Sequence, residues 1–258
     1  PLRLARGQLY YERLARSTNP DWVKRYVHAE YAPDPSGAAV FRGMFIPRFH
    51  VVDAIEPIPG APLIVGMDFG RDPVCVIGQI DWKGRLLVLG EIAAEDIGLT
   101  GQIPIIRGAL AQERYNGRRL CIVGDPSGQF KGNIDERTSF DILKAAGFMA
   151  IPAPTNLIDP RLRAVERFLL EQREGGPAIV FDRRHCPRTI WAMTGAYRFK
   201  FDQAGEAQAK PEKNEASHYA DALQYLALGV SGTTAGMIAR KLSRKTQERA
   251  RVSAAGWT

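Results

Sequence analysis

The sequence has few cysteines, no long apolar run and no phosphate loop. Its 258 residues include only Cys75, Cys121 and Cys186. These are odd in number, far apart and set among apolar neighbours, which excludes a disulfide framework and a CxxC metal site and favours a reducing cytoplasm. No apolar stretch approaches the roughly 18 residues a membrane helix needs, and Pro1 opens no charged-then-apolar signal segment, so the chain reads as soluble, with no membrane partner. GxxxxGK[ST] occurs nowhere, and there is no internal repeat or low-complexity tract. Opening at Pro1 instead of methionine reads as the interior of a longer polypeptide. What is present, 45% hydrophobic and 24% charged residues, excludes disorder throughout and suffices for a sizeable core.

Charge is distributed unevenly. The net is +7, from 35 basic and 28 acidic residues. Residues 233–258 carry Arg240, Lys241, Arg244, Lys245, Arg249 and Arg251 against Glu248 alone, a net of +5; residues 1–60 carry +2, and residues 61–232 balance to zero. A neutral body with a polycationic tail suits contact with phosphate backbones. A solvated, flexible terminus is the alternative reading of the same composition.

Breaker clusters divide the chain. Residues 8–31 place Leu9, Tyr10, Leu14, Trp22, Val23, Tyr26 and Val27 at helical spacings, and the run from Ala32 to Gly37, with two prolines, ends that pattern. Pro57 to Pro62 marks a boundary, giving a linker segment over 1–60, a folded domain over 61–232 and a tail over 233–258. Within the domain, three short strands are expected at Leu63–Met67, Val74–Ile80 and Arg85–Ile92, joined by turns into an antiparallel meander. Helices are expected over Gln102–Tyr115, Ser139–Ala146, Pro160–Glu174 and Ala216–Val230. Strands are expected over Arg119–Val123, Phe148–Ile151 and Ala178–Phe181, with a hairpin around Tyr197–Gln208. Three meandering strands followed by alternating helices and strands is the order of a ribonuclease H-like α/β domain, a mixed sheet flanked by helices.

Two acids share one niche: Asp68 follows the strand ending in Met67, and Asp125 follows the strand ending in Val123. If these strands are neighbours, both carboxylates emerge at one sheet edge, where α/β folds place ligands. Asp221 lies in the last helix among Ala222, Leu223, Leu226 and Ala227, and an acid on a buried helix side is costly unless paired or bound to metal. Three such carboxylates make a hard, all-oxygen site suited to Mg²⁺ or Mn²⁺. Two ions about 3.5–4 Å apart would activate water and stabilise the leaving oxygen of a phosphodiester, which makes this a nuclease proposal. His218, three residues before Asp221, shares its helical face and is a candidate to move a proton, orient a carboxylate or bind metal. Taken singly, each Asp also reads as a turn or cap residue, and His218 as a packing histidine.

Four stretches occur in order: Gly66-Met67-Asp68-Phe69-Gly70 with Asp72-Pro73, then Val123-Gly124-Asp125-Pro126-Ser127-Gly128, then His185-Cys186-Pro187, and last Pro211 to Tyr225. This pattern resembles the C-terminal nuclease domain of the large terminase subunit of tailed bacteriophages. The leading segment from Tyr10 to Phe41 resembles the connection that follows the motor domain in that family, so the resemblance covers about residues 7–230. It implies a ribonuclease H-like endonuclease that cuts concatemeric double-stranded viral DNA during packaging, in the cytoplasm of the infected bacterium. Asp68, Asp125 and Asp221 match the family's metal-binding acids. The implied partners are double-stranded DNA, the portal, the small terminase subunit and an ATPase motor domain. Without a phosphate loop here, that motor is expected outside this chain.

Other readings stay open. An actin-like or sugar-kinase-like ATPase also begins with a strand and Asp-x-Gly, as in Asp68-Phe69-Gly70, but needs two lobes, and about 170 residues make one ordinary domain. A non-catalytic DNA-binding or docking module would use the acids structurally, and an integrase, transposase or junction resolvase would use the same acidic triad. Asp72 and Glu91 read as site-edge acids or as ordinary turn and surface residues. Lys131, Arg161 and Arg163 read as phosphate contacts or, more simply, as solvated helix charge. Asp135, Glu136 and Asp141 fit capping and stay outside the site.

Overall fold

The computed structural model describes residues 37–131, 136–202, 207–232 and Ile238. The helical pieces expected over residues 8–31 and most of the basic tail lie outside the described residues.

Strand β1 (Gly37–Ala39), a short helix α1 (Pro47–His50) and strand β2 (Val51–Val52) precede the expected meander of β3 (Leu63–Asp68), β4 (Val74–Ile80) and β5 (Leu86–Ala93). There follow helix α2 (Gly98–Ala111), strand β6 (Leu120–Gly124), helix α3 (Ser139–Ala145), strand β7 (Ala150–Pro152) and helix α4 (Ile158–Leu170). A two-residue ribbon, β8 (Gln172–Arg173) with β9 (Gly176–Pro177), leads to β10 (Ile179–Asp182). Helix α5 (Pro187–Trp191) runs into a π turn, then the hairpin of β11 (Arg198–Phe201) and β12 (Ala207–Pro211) leads to helix α6 (Glu215–Gly229).

Seven strands form one mixed sheet in the order β2-β10-β5-β4-β3-β6-β7. β4 is antiparallel to both β3 and β5, whereas β6 runs parallel to β3, and β10 parallel to β5. Alternate side chains enter opposite cores, as the two-residue period of a strand requires. Ile64, Val76, Val88 and Val123 face the core under α4 and α6, while Val65, Met67, Ile77 and Ile122 pack toward Ile106 of α2 and Phe140 and Leu143 of α3. This is a mixed sheet flanked by helices, the ribonuclease H-like α/β fold.

Several placements differ from the sequence expectation: the helix expected to run to Glu174 ends at Leu170, where Gln172 and Arg173 turn into β8, and both bounds of the domain shift. Residue 60 does not separate a linker from the body. β2 pairs with β10, β1 pairs with β11, and Val40, Phe41, Phe45 and Val51 belong to the core. His50 is 1% exposed; its Nδ1 accepts from the Ile46 amide and its Nε2 donates to the Leu169 carbonyl. The apolar side chains of 37–56 complete the sheet edge and the end of α4, so they fold with it. At the other end, Ile238 lies beyond the expected tail boundary yet is buried in the same core.

Helix α6 positions the site. Expected to bury one face, it is buried almost continuously from Ala216 to Gly229, because the sheet lies on one side and α4 on the other. Gly66 makes this possible: a Cβ there would lie 2.0 Å from the Ala222 carbonyl oxygen, so only a glycine lets the helix backbone rest on β3. Asn214 caps the helix, accepting from the Ser217 amide.

Candidate active site

The parallel register pairs Met67 with Gly124, so Asp68 and Asp125 sit side by side at the carboxyl ends of β3 and β6. The Asp125 amide donates to the Met67 carbonyl at 3.2 Å, tying the two strand ends together. The Asp125 carboxylate accepts from the Ser127 amide at 2.8 Å and so caps the short 3₁₀ turn Pro126–Gln129. Gly128 in that turn lies against the Phe69 ring, where a Cβ would come within 2.5 Å. The two glycine-flanked acids of the sequence thus lock against one another through Phe69.

Helix α6 brings the other two residues. One turn before Ala222, His218 reaches past Gly66 to the strand end, where its Nδ1 lies 2.9 Å from Oδ2 of Asp68. Asp221, only 2% exposed, holds two cations: Arg161 of α4 on Oδ1 and Lys213 on Oδ2. Arg161 is itself 7% exposed and stacks 4.5 Å from the centre of the Tyr225 ring.

The electrostatics join these groups. Burial pushes the Asp68 carboxyl upward; the His218 hydrogen bond opposes this, and the negative charge of Asp221 adds to it. His218 is raised, chiefly by its bond to Asp68, against the smaller effect of burial. The Tyr225 hydroxyl is pushed up by burial, opposed by Arg161, and pushed further by Asp125, Asp221 and Asp68. One phenol therefore feels all three acids.

Of the residues expected in the site, Asp68 and Asp125 end neighbouring strands, His218 bonds Asp68, and Asp221 lies close enough for its charge to raise Asp68, while its own oxygens are taken by Arg161 and Lys213. Among the described residues no three acids, histidines or cysteines stand ready to hold a metal ion as placed. The donor set nevertheless fits a hard divalent ion in type and charge, being carboxylate oxygen throughout. Asp221 spends its charge on Arg161 and Lys213, and the Lys213 side chain, 74% exposed, is the partner able to give way.

Other expectations resolve around this centre. Asp72 accepts from the Asp96 amide and is a loop residue. Glu91 is neither a fourth site acid nor a surface residue: its oxygens accept from the Arg188 and Thr189 amides and the Thr189 hydroxyl, capping α5. Asp141 caps α3 with Thr138, whereas Asp135 lies outside the described residues. Arg163 is an exposed helix charge, but Arg161 is not. Its spacing with Val165 and Phe168, three residues on one helical face, is the signal that marks it as buried.

No protein-family model and no curated protein sequence matches the chain. Solved structures do. The large terminase of a thermophilic bacteriophage superposes with a TM-score of 0.56 at 19% identity, over 88% of this chain and 52% of that protein. The chain thus spans about half the length of that terminase. The large terminase nuclease of the thermophilic phage G20c, in crystals with bound magnesium or cobalt, aligns with a TM-score of 0.50 at 16% and 15% identity, over 76% of this chain and 98% of that nuclease. With its antiparallel meander and parallel outer strands, this chain shares the ribonuclease H-like fold of phage large-terminase nucleases.

Proposed function

We propose that the chain is a divalent-metal-dependent endonuclease that hydrolyses double-stranded viral DNA during genome packaging. The observation that carries this reading is the pairing of Asp68 and Asp125 at neighbouring strand ends, with His218 of the last helix on Asp68 and the charge of Asp221 felt there. The shared fold supports it, because the G20c nuclease was crystallised with bound magnesium.

Asp68, Asp125 and Asp221 are the residues to hold the ions, Mg²⁺ or Mn²⁺. A pair of such ions supplies activation of the attacking water and charge stabilisation at the leaving oxygen. The chain's own residues do the rest. His218 orients the Asp68 carboxylate through Nδ1 and is placed to hold a proton there. The Ser127 amide fixes Asp125, and Arg161, buried behind Asp221, holds that side chain at the edge when Lys213 leaves. The resemblance extends the proposal to concatemeric DNA in the infected host's cytoplasm, with the portal, the small subunit and a separate ATPase motor as partners. Among the described residues no helix is long and apolar enough to cross a membrane.

A second reading has an observation of its own. Asp221 is already neutralised by two cations and Asp125 already caps a turn, as they would be in a DNA-binding module whose acids are structural. Plasmid digestion separates the two. The nuclease reading expects nicking and linearisation with Mg²⁺ or Mn²⁺, without ATP, and no cleavage in EDTA or by Asp125→Ala. DNA binding without cleavage in either ion would establish the module instead.

A further inference from the structure

Beside the acidic edge lies a cavity of about 400 Å³ whose wall includes Leu157, Ile158, Arg161, Lys210, Glu212 and Lys213. Two of these residues, Arg161 and Lys213, are also the cations that hold Asp221, so cavity and acidic edge share a wall. The cavity is polarised for an anion. Glu212 brings negative charge, but Arg198 and Lys200, neither of them in the wall, bind its two carboxylate oxygens at 3.2 and 2.8 Å. Arg161 and Lys213 share one negative charge, that of Asp221, and Lys210 adds another positive charge at the exposed rim.

Two further features point inward to a missing ligand. Arg161 is more than nine-tenths buried, and its Nε reaches no acceptor among the described residues. Leaving a buried donor without a partner is costly, most of all on a charged group, so its retention calls for an acceptor that arrives from outside. The second feature is α4, thirteen residues long, which begins at this cavity. Leu157 stands at its cap without any side-chain hydrogen bond, and the first-turn amides carry the partial positive charge of the helix dipole. Asp159 in that turn is exposed and is not part of the wall.

We infer that this cavity binds a phosphate of the DNA backbone next to the one being cut, with Arg161, Lys210 and the amino end of α4 as its ligands. The inference rests on the nuclease reading and gives that site a positioning residue set. The pocket fixes one phosphate, and the strand then passes Asp221. Charge complementarity draws the anion in, and Lys213 becomes free to turn from Asp221 toward the incoming phosphate when ions take its place.

The test is duplex binding in EDTA, read by fluorescence anisotropy over a salt series with a labelled DNA of about 20 base pairs, a length chosen to exceed the edge of one domain. Lys210→Gln is expected to weaken binding several-fold, for all sequences alike, and to flatten the slope of log affinity against log salt by about 0.9, the value of one phosphate contact. Lys144→Gln, on α3 across the sheet, is the control expected to change neither. Arg161→Met is expected to lose more affinity than Lys210→Gln, and its thermal melt shows whether it folds; where it does not fold, Lys210→Gln alone decides. Exchanging chloride for inorganic phosphate at equal ionic strength separates the anion's sources. Competition seen in the wild type and lost in Lys210→Gln supports the pocket, and equal competition in both overturns it. An unchanged affinity and slope in Lys210→Gln, in a protein that still cleaves DNA, overturns the pocket and spares the nuclease. A wild type that neither binds nor cleaves DNA overturns both.

Discussion

Asp182 and Asp221 are both buried aspartates facing an arginine, and they are held in opposite ways. Asp182, at the end of β10, has no exposed surface and accepts from the Ile55, Arg184 and His185 amides, the His185 ring and Arg114. Burial pushes its carboxyl up, but these hydrogen bonds outweigh burial and leave it below the usual carboxylate range. Asp221 is held by two side-chain cations, one of them mostly exposed, and its charge raises its neighbour Asp68. Backbone amides cannot leave, whereas a lysine can. A carboxylate with both oxygens fastened by backbone amides, as in Asp182, is part of the fold, whereas one that keeps an oxygen off the backbone, as in Asp125, or is balanced by a movable cation, as in Asp221, is available for chemistry.

The sharpest way to break this contrast is to remove charge from each class of acid. Asp68→Asn, Asp125→Asn and Asp221→Asn are each expected to reduce plasmid cleavage to background while the protein stays folded. Asp68 also carries a pH-dependent cost to stability. Its folded carboxyl titrates above its unfolded value of 3.8, so the charged form costs stability at neutral pH, and that cost disappears as pH falls through the folded value toward 3.8. Asp68→Asn should therefore melt slightly higher than the wild type near pH 7, by an amount that shrinks in acid. Near wild-type cleavage by any of the three would remove that residue from the site. His218→Ala should cost less than any of them, since water can take a positioning partner's place.

Asp182→Asn should do the reverse. It leaves the half-buried Arg114 without its charge partner, which costs up to about 3–5 kcal/mol, while cleavage per folded molecule is retained. Denaturant titration beside a plasmid assay reads both quantities. A stable Asp182→Asn protein that has lost activity would invert the comparison and place Asp182 in the chemistry.

The sequence makes one half of this contrast visible and hides the other. Asp68 and Asp125 can be read because each ends an apolar strand in a glycine-flanked turn, and strand bounds such as Val74–Ile80 follow from mostly apolar runs set between turn residues. Parallel pairing of β3 with β6 then makes them neighbours. Asp182 also ends a strand, but its partners Arg114 and Ile55 lie 68 and 127 residues away, and no local pattern shows such a pairing. Glu91 fails for the same reason, since the helix it caps begins almost a hundred residues later. The burial of α6 on all sides depends on Gly66, a glycine mid-strand whose role as a landing place for the helix appears only when the two are packed. Arg161 is the intermediate case, legible from helical spacing but outweighed by the general rule that arginines are solvated.

The smallest effect tests the region expected to be a linker. His50 is buried against Phe45 and Phe49, and its pKa is lowered because burial opposes the charge more than its bonds to Leu169 and Ile46 favour it. Above the unfolded value of 6.5 both states are neutral, and His50 gives stability no pH dependence. As pH falls below that value the unfolded chain takes up a proton that the folded chain refuses, so stability declines until the folded value is reached. The slope is at most about 1.4 kcal/mol per pH unit, by linkage. Glutamine can accept from the Ile46 amide and donate to the Leu169 carbonyl but does not titrate, so in His50→Gln this part of the acid decline should vanish. Denaturant midpoints measured from pH 7 to 5 in both proteins give the difference directly. If the two profiles run parallel, His50 does not stay neutral within the fold, and the segment carrying α1 is not packed on the body as tightly as β3 and α6 are.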